Sequence, residues 1–137
     1  MTRMIPSQRA RSDAVIADDA RRCLEYHNRH TYSNGVGEWD VPRLWELVTD
    51  LPVQEVDPEA FLGERYCWES DLTLRNIAEH MRRVLSADMT CPIILSADGC
   101  VMDGNHRLIR GALDGVRVLA VQFAVTPTPD RPARNHP

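Results

Sequence analysis

Asp103, Gly104, Asn105, His106 and Arg107 are consecutive, and together supply a carboxylate, a conformationally free corner, a short amide, an imidazole and a guanidinium. That set suits the binding of negatively charged oxygen. Ahead of it, the apolar run Pro92–Leu95 and the pair Asp98-Gly99 predict a β-hairpin. Behind it, Leu108, Ile109, Ala112 and Leu113 share one face of a predicted helix, with Arg107, Arg110 and Asp114 off that face. The cluster therefore sits at a strand-to-helix turn. Asn105 is expected to cap the helix, leaving the next amides pointing outward at the positive end of its dipole. A phosphate or carboxylate is the natural guest of such a helix start. The competing reading is an ordinary polar loop followed by solvated side chains.

The chemistry expected of a phosphate guest is specific. Its oxygens would sit on the amides after Gly104, with His106, Arg107 and Arg110 supplying polar or charged donors. Asp103 would repel phosphate unless it held a Mg2+ ion or accepted a proton from an attacking hydroxyl or water, with His106 as the second catalytic group. The alternative for Asp103 is a brace for the turn through the amides of Asn105 and His106. Glu55, Glu59 and Glu64 are the candidates for a second acid.

The stretch from Pro92 to Arg110, with its Asp-Gly-Asn-His-Arg core, resembles the central motif of the ParB/sulfiredoxin superfamily, and more narrowly its small stand-alone ParB-like proteins of bacteria. The likeness covers residues 52 to 130 and includes the segment Ile77–Met81. It implies a compact α/β (α+β) domain, a small mixed sheet flanked by helices, that binds a nucleotide such as ATP, ADP or CTP with Mg2+. Carried over by position, Gly104, Asn105, His106 and Arg107 would form the phosphate loop, with Asp103 beside it. Sulfiredoxins carry a reactive cysteine before the His-Arg pair, where this chain has Asn105, so that chemistry is disfavoured. The Gly-Glu-Arg-Arg type motif of partition proteins is absent here. The Asp-Gly-x-His-Arg form is closer to the free-serine kinases, which are longer.

Composition narrows the classes further. All 16 basic residues are arginine, which excludes a Schiff-base lysine and a P-loop. The net charge of -4 and the absence of a basic stripe interleaved with aromatics argue against direct nucleic-acid binding, and hence against DNA partition or nuclease activity. Cys23, Cys67, Cys91 and Cys100 show no metal-ligand spacing and read as free thiols in a reducing cytoplasm. No membrane span or leader is evident.

Several elements are needed to position the turn. Residues 1–37 are expected to hold a basic arm, a helix from Ser12 to about Arg29 and a loop; 38–126 the domain itself; and 127–137 a mobile Pro-rich tail. Within the domain, Asp40 opens a short helix, Pro52–Val56 alternates like a strand, and Thr73 to about Ala87 is the best amphipathic helix. His80 lies at the edge of its apolar stripe and reads as a boundary residue. Arg117–Val125 is a strand covered on both faces. Trp39, Trp45 and Trp68 are assigned to the core, with stacking on a nucleotide base as the alternative. Gly111 marks close packing, expected against Pro92–Leu95. Two functions follow as expectations: a nucleotide-dependent kinase or NTPase acting on a small hydroxyl substrate or water, or a non-catalytic nucleotide-sensing or protein-binding module.

Overall fold

The computed structural model describes residues 31–63 and 73–133. A hairpin of β1 (Thr31–Ser33) and β2 (Gly37–Asp40) leads into helix α1 (Val41–Leu47), then β3 (Gln54–Val56) and a 3-10 turn at Pro58–Phe61. Helix α2 (Leu74–Leu85) follows, then β4 (Ile93–Leu95), β5 (Val101–Asp103), helix α3 (Asn105–Asp114), β6 (Val118–Gln122) and β7 (Arg131–Pro132). The fold class is α+β. The helix expected from Ser12 to Arg29 and Trp68 lie outside the described residues.

The four-stranded sheet has the order β3-β6-β4-β5, with β6 antiparallel to β3 and parallel to β4. Alternation along its two central strands divides the core. Ile94 and Val121 face a cluster with Trp39, Leu44, Trp45 and Phe123, supplied by β2 and α1 and the end of β6. Ile93, Leu95, Val118 and Ala120 face the other way, against Leu108 of α3 and Phe61 of the 3-10 turn. Both faces are therefore covered, which is why β4 and β6 are nearly continuously apolar. Trp39 and Trp45 belong to the core, as the sequence suggests.

Several local expectations change. The loop expected over His30–Gly37 contains the β1–β2 hairpin, whose turn is closed by Asn34 Oδ1 accepting from the amides of Val36 and Gly37. The segment from 127, expected to pack nothing, returns along β2. Trp39 Nε1 donates to the Pro127 carbonyl at 2.8 Å, and Arg131 pairs with Asp40 at 2.8 Å. Polar anchors of this kind leave no apolar periodicity to read. In the β4–β5 hairpin the Ser96 amide donates to the Cys100 carbonyl, so Cys100 lies opposite Ser96, where the Asp98-Gly99 turn alone would set it opposite Ala97. Cys91 is disulfide-bonded, while Cys100 is free. The free-thiol argument for a reducing compartment therefore falls. Among the described residues, no helix is long and apolar enough to cross a membrane.

Gly104 is the N-cap of α3, at φ 121° and ψ 20°, and Asn105 is the first helical residue. The expected asparagine cap is displaced because only glycine tolerates that corner: its φ is positive and a Cβ there would run into the Ile93 side chain. Gly111 gives close approach too, but to Val118, Val116 and Pro58 instead of Pro92–Leu95. Gly115 also has positive φ, 66°, yet faces open space. Gly104→Ala should therefore cost ~3 kcal/mol or more in urea denaturation, where Gly115→Ala costs only ~1 kcal/mol. Equal costs would show that the contact with Ile93 is unimportant.

Candidate functional site

β5 is bulged. Leu95 pairs with Val101 but Ile94 pairs with Asp103, leaving Met102 as the extra residue. A bulge of this kind re-aims the side chains that follow it. Here it ends the strand at Asp103, whose Oδ2 accepts from Trp45 Nε1 at 3.1 Å and from an Arg107 guanidinium nitrogen at 2.9 Å. One helical turn separates Asp103 from Arg107, so the pair closes the strand-to-helix corner. The other terminal nitrogen of Arg107 donates to the Pro92 carbonyl at 2.7 Å, and the guanidinium carbon lies 5.7 Å from the Trp45 ring centre. The Arg107 side chain is only 4% exposed. A buried guanidinium is tolerated only when its charge is answered; here Asp103 supplies the counter-charge, Pro92 and Asp103 each accept a hydrogen bond, and the Trp45 ring lies beside the cation.

This corrects the sequence reading of two residues. Arg107 was expected to clamp phosphate, and the structure commits it to the interior. Asp103 was expected either to hold a metal or proton or to brace the turn through the amides of Asn105 and His106; it braces the turn, but through Trp45 and Arg107. The carboxylate already faces a cation, and no group of three or more His, Cys, Asp or Glu side chains that could hold a metal occurs among the described residues. Glu55 lies on β3, at the opposite sheet edge and three strand spacings, ~14 Å, from β5. Glu59 belongs to the 3-10 turn on the Gly111 side of α3, and Glu64 is outside the described residues.

Arg110 also points elsewhere. It pairs with Asp114 at 2.7 Å and donates to the carbonyls of Val84 and Leu85, closing the C-terminal end of α2. Arginine at a helix C-terminus satisfies carbonyls that have no intrahelical donor.

What remains at the corner is the first turn of α3. Gly104 is buried, Asn105 exposed and His106 half-buried. The amides of this first turn have no intrahelical acceptor. His106 meets a residue that the sequence reading gave no site role: His80 Nδ1 lies 2.9 Å from His106 Nε2. Burial, then the nearby His80, Arg83 and Arg107, push the His106 pKa down to about 4, with Asp103 opposing weakly. Burial and Arg83 lower that of His80 as well. Both rings are therefore neutral at pH 7. The pairing joins residues 26 apart in sequence, on separate helices, and no local pattern signals it.

No protein-family model, curated protein or solved structure matches this chain. The resemblance to the ParB/sulfiredoxin superfamily therefore rests on the sequence motifs alone.

The committed state of Asp103 makes a direct prediction. Asp103→Asn should lower unfolding free energy by ~1–3 kcal/mol, because Arg107 keeps its charge and loses the neutralising partner. Urea denaturation checks this. A variant as stable as the parent would contradict the brace and return Asp103 to the list of reactive groups.

Proposed function

We propose that this chain binds a phosphate-bearing small molecule at the first turn of α3, with a nucleotide (ATP, ADP or CTP) as the ligand class that the motif resemblance implies. The observation that carries the reading is the composition of that turn. A glycine corner exposes Asn105 beside the amides of a ten-residue helix, and a neutral imidazole and the Arg83 charge stand near it. Helix dipole and amide donors favour an anion there. Arg107 contributes rigidity to this reading and no ligand contact.

Binding without turnover is the form this geometry favours. Asp103 is occupied by Trp45 and Arg107, so the group best placed by sequence to accept a proton is engaged in holding the corner. His106 is the remaining acid–base candidate. An arriving phosphate would stabilise its protonated form and raise its pKa from about 4. Ligand binding should then take up protons and strengthen as pH falls towards 6. Phosphoryl transfer to a small hydroxyl substrate, or hydrolysis, is the second reading, favoured only by the motif.

Thermal melting against ATP, ADP, CTP, GTP and pyrophosphate, each with and without Mg2+, tests the proposal. A ligand present at 100 times its Kd should add ~2.7 kcal/mol of stability, and the shift should not require Mg2+. Asn105→Asp should abolish the shift by placing a like charge at the turn, while leaving the unliganded melt unchanged or slightly raised. Absence of any shift at millimolar ligand, or a shift untouched by Asn105→Asp, would overturn it.

A further inference from the structure

Helix α2 is weakly anchored by apolar contact. The sequence predicts that its stripe of Leu74, Ile77, Ala78, Met81, Val84 and Leu85 packs inward, but Val84 is its only buried residue. Leu74, Met81 and Leu85 are 86%, 59% and 67% exposed. Burial of one valine stabilises by only ~1.5–3 kcal/mol, so polar contacts matter unusually for where this helix sits. Two of them join it to α3: Arg110 to the last carbonyls of α2, and the contact between His80 and His106.

The geometry of that second contact has a consequence for its protonation. The ring centres are 5.2 Å apart while the facing nitrogens are 2.9 Å apart, with 29° between the ring planes. Rings stacked face to face could not bring two nitrogens so close. The imidazoles therefore meet edge to edge, with His80 Nδ1 and His106 Nε2 between the two centres. One of these nitrogens must carry the proton and the other must accept it. A first added proton can enter on an outward-facing nitrogen, leaving the bond intact as an imidazolium–imidazole pair. The second must land on the acceptor nitrogen. It then destroys the bond and sets two cations against each other.

We propose that the His80–His106 pair is an acid-released latch that holds α2 on α3. The proposal does not depend on the anion reading. Among the described residues, the charged groups around the latch are Arg83 on α2, Arg107 on α3 and Asp103 on β5, with Arg110 further along α3. Arg83 and Arg107 make each added proton costly, and Asp103 opposes them only partly because it is shared with Arg107 and Trp45. The sign of the linkage follows from the lowered values. Between the free-imidazole value of 6.5 and the folded value of about 4 for His106, the undocked state binds more protons than the docked one. Docking is thus full above pH 6.5 and weakens as pH falls towards 4, and the sheet, which has no histidine in its core, keeps its structure.

Hydrogen exchange with mass-spectrometric or NMR detection, corrected for the intrinsic pH dependence of exchange, tests this on the whole chain. Protection of the α2 amides should fall by about a hundredfold between pH 7 and pH 4, as linkage to the His106 shift from 6.5 to about 4 requires, while β4 and β6 keep theirs. His80→Gln supplies an amide that can donate to neutral His106 or accept from charged His106. In that variant the α2 loss should shrink to less than about twofold. Simultaneous loss in α2 and the sheet, or an undiminished loss in His80→Gln, would overturn the latch. Imidazole nitrogen shifts in the unaltered protein give an independent readout. At pH 7 one of the two facing nitrogens should be protonated and the other not; both rings showing the tautomer mixture of free imidazole would also overturn it.

Discussion

A buried guanidinium organises this fold. Arg107 lies inside the protein with its charge set against Asp103, one nitrogen on the Pro92 carbonyl and its plane near the Trp45 ring. Each partner comes from a different part of the chain: the end of β5, the residue before β4, and α1. A charge taken out of water must find its compensation in place or the site does not form. The arginine therefore fixes the angle at which α3 leaves the sheet and seats α1 against the same corner. The bulge at Met102 and the positive φ of Gly104 are the backbone terms of that arrangement.

The same commitment decides which chemistry is left. A motif that reads as acid, corner, amide, imidazole and guanidinium offers five functional groups on paper. Folding uses the first and last to hold each other, leaving an exposed asparagine, the amides of a helix start and an imidazole kept neutral by its surroundings. A neutral imidazole and the amides of a helix start suit recognition of an anion whose charge the site then partly answers by taking up a proton. Among the described residues they come with no cluster of three or more metal-ligating side chains. Binding is consequently easier to derive from this corner than phosphoryl transfer.

The parts of the fold written in local pattern were legible. The buried run of β6, the Thr73 cap of α2, the Asp40 start of α1 and the hairpin before the motif all follow from periodicity and turn chemistry within a few residues. Features that depend on distant partners were not. Arg107 looked like a surface ligand because nothing near it in sequence discloses the Pro92 carbonyl or Trp45. His80 looked like a boundary residue because its partner lies on another helix. The return of the chain along β2 depends on Arg131, Asp130 and a proline carbonyl meeting Asp40, Arg43 and Trp39, a set with no periodicity. The α2 stripe errs the other way: its amphipathic pattern is real, yet most of that face remains exposed.

The central claim is that Asp103 exists to neutralise Arg107, and a double-mutant cycle tests it most directly. Asp103→Ala, Arg107→Leu and the double variant would be compared by urea denaturation. If the carboxylate serves the buried charge, removing Asp103 should cost ~3–5 kcal/mol with Arg107 present and far less once leucine replaces it, giving a coupling of ~2 kcal/mol or more. Additive costs, with coupling near zero, would mean that the two residues stand side by side without depending on each other, and the assignment of the corner would fail.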